Sequence, residues 1–224
     1  MRVFAIRPEP GLSSTIAVGA AHGLPITGFP LSRIAPCGWT LPELGGIDAL
    51  LVGSANAFRH GGDKLEALHH LPVLAVGKTT AAAAEKAGFR VAASGTGGLQ
   101  ALLDTLEPGP RCLLRLAGED HVPLQLPPGT ELILRVVYRV QDTEISPEFE
   151  NELRKGALIL LHSAGAAQHF AQECDRLGLD RGSIALAALG PRILEPVGEG
   201  WLDARSASTP AEPALLALAR DMCQ

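Results

Sequence analysis

The sequence predicts an α/β protein of two similar lobes, each a parallel sheet flanked by helices. Three observations carry this. Short apolar runs alternate with helical patterns along all 224 residues. The runs lack polar alternation, as strands buried on both faces do. And one order of segments, strand–Ser–helix, strand–Gly–helix, short strand and helix, occurs twice.

The strands are expected at Val3–Ile6, Ala49–Val52, Val73–Val76, Val91–Ala93, Cys112–Leu116, Leu132–Tyr138, Ala157–Leu161 and Ile184–Leu189. Between them, Leu99, Leu102, Leu103 and Leu106 form an apolar stripe at helical spacing, as do Ala167, Phe170, Ala171, Cys174 and Leu177. The last helix carries a start signal: Thr209 as N-cap, Pro210 at the first position, Glu212 completing a capping box. Leu215, Leu216 and Ala219 then face the core. In the repeat, Leu50-Leu51-Val52-Gly53-Ser54-Ala55 corresponds to Leu160-Leu161-His162-Ser163-Ala164, and Leu74-Ala75-Val76-Gly77 to Ala187-Ala188-Leu189-Gly190. Ser94-Gly95-Thr96 corresponds to Ser206-Ala207-Ser208-Thr209 at nearly constant offset.

Composition narrows the function. Hydrophobic residues make up 46% and charged residues 19%, so a sizeable core can be buried and disorder is excluded. The net charge of -5 and the absence of a basic run argue against nucleic-acid or acidic-membrane partners. Cys37, Cys112, Cys174 and Cys223 form no C-x-x-C pair, so they read as core or surface thiols in a reducing compartment. A strand opens the chain, no signal peptide precedes it, and no apolar stretch is long enough to span a bilayer, so a soluble, cytoplasmic protein is expected.

Ligands of parallel α/β lobes bind beyond the carboxyl ends of the strands. The segments there are small and polar: Ser54-Ala55-Asn56, Lys78-Thr79-Thr80, Ser94-Gly95-Thr96-Gly97-Gly98 and Ser163-Ala164-Gly165. Each leads into a helix, whose free N–H groups suit carboxylate or phosphate, although each is also an ordinary N-cap. A small anionic ligand in the cleft between the lobes is the expectation. There is no P-loop, Gly95-x-Gly97 lacks a third glycine because Gln100 stands there, and no G-x-S-x-G elbow exists. A nucleotide-dependent enzyme is therefore disfavoured. His69-His70 and the pair His162/His169 read as surface or packing residues, and Glu119-Asp120 as a solvated loop. Tyr138, the only tyrosine, ends a β run before a polar connector from Arg139 to Pro147. By position it is either a core-edge residue or a proton donor in the cleft.

Arg7-Pro8 follows the first strand, Gly53-Ser54-Ala55-Asn56 the second, and Val76-Gly77-Lys78-Thr79-Thr80-Ala81 the third, with Gly88 after a short helix. Val137-Tyr138-Arg139 and Leu161-His162-Ser163-Ala164 come next. Together and in this order, from about residue 3 to the C-terminal helix, these segments resemble the uroporphyrinogen-III synthase family. The resemblance implies two lobes joined by two strand-like linkers near Leu31–Pro36 and Tyr138–Thr143. One lobe would hold residues 1–34 and 143–224, the other residues 37–138. It implies a lyase of heme biosynthesis, monomeric and without metal or organic cofactor. The substrate would be the linear tetrapyrrole hydroxymethylbilane, handed over transiently by hydroxymethylbilane synthase.

The implied reaction closes the macrocycle with loss of water and inversion of ring D. Tyr138 matches the family's proton donor for the departing hydroxyl. The substrate's eight carboxylates would meet Arg7, Ser54, Ala55, Asn56, Lys78, Thr79, Thr80, Ser163, Ala164, Gly190 and Arg192. Because the substrate also cyclises unaided without inversion, orientation, which can supply about 7–11 kcal/mol, should outweigh a single general acid at about 10²–10⁴-fold. Two positions depart from the family pattern: Gly53 replaces a threonine before Ser54, and Ile193 replaces one after Arg192. Arg192 could compensate by a charge-assisted contact. The rival reading is a non-catalytic two-lobed binding module for a tetrapyrrole or other small anion, separated from the enzyme by turnover.

Overall fold

The computed structural model describes residues 1–107 and 109–223. In chain order its elements are β1 (Arg2–Ala5), α1 (Gly11–Ala21), β2 (Ile26–Gly28), β3 (Ser32–Pro36), β4 (Ala49–Val52), α2 (Asn56–His60), β5 (Val73–Val76) and α3 (Lys78–Lys86). Then come β6 (Val91–Gly95), α4 (Leu99–Leu103), β7 (Arg111–Gly118), β8 (Thr130–Asp142), α5 (Pro147–Leu153), β9 (Ala157–Leu161), α6 (Ala164–Arg176), β10 (Ile184–Ala188), β11 (Asp203–Ser206) and α7 (Glu212–Met222). The chain forms two compact units, residues 1–33 with 141–224 as unit 1 and residues 34–140 as unit 2. None of the helices is long and apolar enough to cross a membrane, among the described residues.

Each unit is built on its own sheet. Unit 1 has the order β11-β10-β9-β1-β2, and the second sheet has β6-β5-β4-β7-β8-β3. The paired strands of unit 1, and those from β6 through β8, run parallel. The two orders are one pattern: β9, β10, β11, β1 and β2 occupy the places of β4, β5, β6, β7 and β8. The repeat seen in the sequence is thus a repeated topology, with the last two strands of unit 1 supplied by the start of the chain. One member differs. After Gly190 the helix of the first copy is replaced by two short 3₁₀ turns, Pro191–Ile193 and Glu195–Val197. Pro191 and Pro196 withhold N–H groups there and favour short turns over a continuous helix.

The absence of polar alternation has a direct cause. All five residues of β9 are buried, and they alternate between two cores. Ala157, Ile159 and Leu161 pack under α5 and α6 with Phe149, Phe170 and Cys174. Leu158 and Leu160 pack on the other face with Leu12 of α1 and Leu215, Leu216 and Ala219 of α7. In unit 2, Leu50 and Val52 join Phe58, Leu68, Ala84 and Leu116, while Ala49 and Leu51 join Leu102, Leu103 and Leu113. A fully buried side chain of this size contributes about 1.5–3 kcal/mol, so such runs outweigh local propensity. The thiols are all free; Cys174 is buried and desolvation pushes it up to about 12, which makes it unreactive.

Two local expectations change. β8 continues through Arg139 to Asp142, so the polar connector begins only at Thr143. Thr209 caps nothing: α7 starts at Glu212 with Ala211 before it and no side-chain cap, because Glu212 is drawn into a polar cluster. His162 is the packing residue of the two readings, its side chain being 6% exposed.

A buried carboxylate ties α6 to the chain ahead of α5. Glu173 Oε2 accepts from the Ile145 N–H at 2.7 Å, and Arg176 donates from Nε and Nη2 at 2.6 and 2.7 Å. The Arg176 bonds, against the opposing effect of burial and with help from the Ile145 N–H, hold this carboxyl below its ordinary range. Its stabilisation should therefore be complete above the ordinary carboxylate pKa of about 4.3 and fade as pH falls through the lowered value. Glu173→Gln should cost about 2 kcal/mol at pH 7, read from urea unfolding, and progressively less below pH 4.

Candidate functional site

In an open parallel sheet the crevice lies where neighbouring strands send their connections in opposite directions. In unit 2 that place is between β4 and β7; in unit 1 it is between β9 and β1. Each holds a cluster of polar residues.

At the unit 2 switch point lies a cavity of about 420 Å³. Ser54, Leu99, Arg115, Gly118, Val122 and Tyr138 are among its walls. Tyr138 gets there by a bulge: the β7–β8 register slips between Ala117 and Gly118, pairing Gly118 with Tyr138. The ring then crosses the face of Gly118. A Cβ on that glycine would stand 2.7 Å from Tyr138 Cε2 and Cζ and 2.9 Å from its hydroxyl. The Glu119 N–H donates to the Tyr138 carbonyl at 3.0 Å and locks the turn. His60 faces the ring at 6.5 Å between centroids; burial, then the charge of Arg59, lowers its pKa and favours the neutral imidazole.

Arg115 is the residue that sequence reading passed over. It is 6% exposed, in a strand otherwise apolar from Leu113 to Ala117. Nη1 donates to the Val122 carbonyl at 2.8 Å, Nε is buried without a partner, and among the described residues no acid pairs with it. Desolvation lowers its pKa. The signal was present: an arginine inside a run that must be buried on both faces needs a reason.

The predicted anion-binding residues of unit 2 do not all meet. Ser54 lines this cavity, and its Oγ accepts from the Asn56 N–H at 3.2 Å. Ala55 is buried, and Asn56 Oδ1 accepts from Arg59 at 3.1 Å. Lys78 and Thr79 line a different groove, of about 700 Å³, with Phe58, Arg59 and Lys86. Thr80 is buried beneath it. The departure at Gly53 has a steric account, since a Cβ there would sit 3.0 Å from Leu99 Cδ1. Leu99 occupies the space that a threonine side chain would need.

At the unit 1 switch point Arg7 lies over Gly11, whose hypothetical Cβ would be 2.5 Å from its Nε. Nη1 donates to Thr15 Oγ1 at 3.3 Å and to Glu212 Oε2 at 3.4 Å. Thr15 donates to Glu212 Oε1 at 2.5 Å, and His162 Nε2 lies 3.2 Å from Glu212 Oε2. Arg7 is thus a tethered cation rather than an isolated one. Burial raises the Glu212 pKa, but hydrogen bonds from His162 and Thr15 and the charge of Arg7 outweigh it and hold the group ionised. His162 Nδ1 is buried without a partner among the described residues. Glu212→Ala should strip partners from buried Thr15 and His162 and cost about 1–3 kcal/mol, visible as a lowered thermal midpoint.

Ser163 caps α6 by accepting from the Ala166 N–H at 3.3 Å, leaving Ala164 in the exposed first turn. Gly190 is extended, and Arg192 projects into solvent without an ion pair among the described residues. Ile193, the second departure, packs against the core of unit 1 instead of facing outward. No group of three or more His, Cys, Asp or Glu suited to a metal occurs among the described residues.

Comparison with known proteins places this architecture. Two solved structures match over nearly the whole chain. The uroporphyrinogen-III synthetase of Helicobacter pylori has a TM-score of 0.64 at 17% identity, covering 99% of this chain and 100% of its own. A mutant uroporphyrinogen III synthase of Thermus thermophilus has a TM-score of 0.53 at 18% identity, covering 100% and 99%. At such identities the likeness is one of fold. No curated protein sequence matches. The family model described as uroporphyrinogen-III synthase HemD, however, matches residues 14–217. That span takes in all of unit 2 and most of unit 1, and the chain belongs to the uroporphyrinogen-III synthase family.

Proposed function

We propose that this chain closes hydroxymethylbilane to uroporphyrinogen III, losing water and inverting ring D, as a monomeric cytoplasmic enzyme that receives its substrate from hydroxymethylbilane synthase. Family membership across residues 14–217 supports the reaction. One observation supports the chemistry: the Tyr138 phenol stands at the wall of the unit 2 cavity. A phenolic O–H can donate to the hydroxymethyl oxygen, which then leaves as water while the pyrrole nitrogen lone pair takes up the electron demand. The substituted α-carbon of ring D next attacks the azafulvene carbon to give a spiro intermediate; its old bond to the methylene shared with ring C then breaks, that methylene rejoins ring D at the free α-carbon, and the proton lost there restores the phenol.

The carboxylate arms are held by the rims. Ser54, Ala55 and Asn56 supply the turn after β4, and Lys78, Thr79 and Thr80 the start of α3. In unit 1, Arg7, Ser163, Ala164, Gly190 and Arg192 supply the corresponding rim. Arg7 acts with its charge partly offset by Glu212, so the exposed Arg192 is the stronger attraction there.

The test is a coupled assay of porphobilinogen and its deaminase, with and without the protein, followed by chromatography of the oxidised isomers. A shift from isomer I to isomer III is expected. Isomer I alone, from folded protein, would overturn the proposal.

A further inference from the structure

The unit 2 cavity has a feature that the proton donor does not explain. Arg115 carries a full charge into a cavity whose lining includes the apolar Leu99, Leu116, Val122 and Leu124. A cation this buried is normally paired, because taking it out of water costs several kcal/mol. Here only one of its groups is satisfied within the protein, by a neutral carbonyl, and Nε is left over. Asp120, the one carboxylate in the lining, is exposed and forms no ion pair with it among the described residues. Burial lowers the Arg115 pKa, and the neighbouring Tyr138 only partly opposes it.

We infer that Arg115 is a substrate-binding residue, a buried receptor for one carboxylate arm of a pyrrole whose ring lies on the apolar wall. This rests on the proposed tetrapyrrole reading and adds to it the group that fixes one arm. The chemistry is complementary on both counts. Apolar walls take the faces of a heteroaromatic ring, and a guanidinium with unused donors takes a carboxylate by charge-assisted hydrogen bonds. The missing counterion arrives with the substrate. Gly118 and Tyr138 stand in the same cavity, so an arm held on Arg115 also orients its ring toward the proton donor.

The test uses the full chain carrying Arg115→Met or Arg115→Lys, with uroporphyrin III as a fluorescent octacarboxylate probe. Arg115→Met should weaken uroporphyrin III binding at least tenfold and raise KM for hydroxymethylbilane by a similar factor, and kcat should fall as well because the ring is no longer oriented toward Tyr138. Arg115→Lys, which keeps the charge but not the fork, should recover part of that loss. In the unaltered protein the Arg115 Nε–H resonance should shift as uroporphyrin III is added, which gives a reading even if the methionine variant does not fold. A folded Arg115→Met with unchanged Kd and KM, or an Nε–H resonance that stays in place at saturation, would overturn the inference. An unaltered protein that yields only isomer I overturns the functional reading instead, so the two failures are separable.

Discussion

Gly118→Ala should reduce isomer-III formation more than removal of the Tyr138 hydroxyl itself. Tyr138→Phe keeps the ring and loses the proton, so kcat should fall by about 10²-fold, at the low end of general-acid effects, with KM within about twofold. Alanine at 118 instead puts a methyl 2.7 Å from two ring carbons. A rigid aromatic side chain cannot yield there without changing rotamer, and the bulge leaves the backbone little freedom. The phenol leaves its place and the cavity wall is rebuilt with it. Turnover should drop by about 10³-fold and KM should rise, since misplacement costs orientation as well as proton transfer. Steady-state kinetics of both variants and the double variant check this. If ring displacement is the mechanism, adding Tyr138→Phe to Gly118→Ala changes little further. Full activity of Gly118→Ala would mean that the ring does not act from this position.

The second large effect concerns stability. Phe149→Ala should destabilise unit 1 by about 4 kcal/mol. The ring is fully buried, stacks on Phe29 at 4.4 Å and 9°, and meets Phe4 edge-on at 5.4 Å. Removing it loses transfer energy, two aromatic contacts and the filling of the core beneath α5. Urea unfolding gives the magnitude, and hydrogen exchange gives its location. Amides of β9 should lose protection, while those of β4, whose neighbours Leu50 and Val52 belong to a different core, should keep it. Equal loss in both strands would mean that the two units unfold as one.

Much of the fold was legible because the strands are buried twice over. A run such as Ala157–Leu161 has no polar position, and only a covered parallel sheet makes use of that. Edge strands were unevenly legible: Val91–Ala93 reads as a strand and is β6, but β2 and β11 went unread. β2 and β11 each show one side to solvent or are only three to four residues long, so Ile26–Gly28 and Asp203–Ser206 carry no pattern distinct from loops. The site was legible as rims and not as contacts. Ser54 and Tyr138 do meet around one cavity, whereas Lys78 and Thr79 line another with residues of α2, a division that spacing cannot reveal. Glu212 misled for a physical reason. A glutamate three residues after a threonine fits a capping box, but its carboxylate finds stronger partners in Arg7, Thr15 and His162, which lie distant in sequence.

The shared strand order has a consequence for biosynthesis. Unit 2 is contiguous, so every strand from β4 to β8 emerges from the ribosome in one stretch. Unit 1 is not: β1 and β2 are made first, but β1 pairs on its other side with β9, which is translated after the whole of unit 2. Through that interval the nascent N-terminus is a two-stranded fragment with its apolar faces uncovered, too small to be stable alone. The middle of the chain should thus reach its native form before the beginning does. A ribosome stalled near residue 180, far enough for unit 2 to clear the exit tunnel, should carry a protease-resistant core and a protease-sensitive β1–β2 segment, and chaperones that shield apolar nascent chain should engage this protein at that segment.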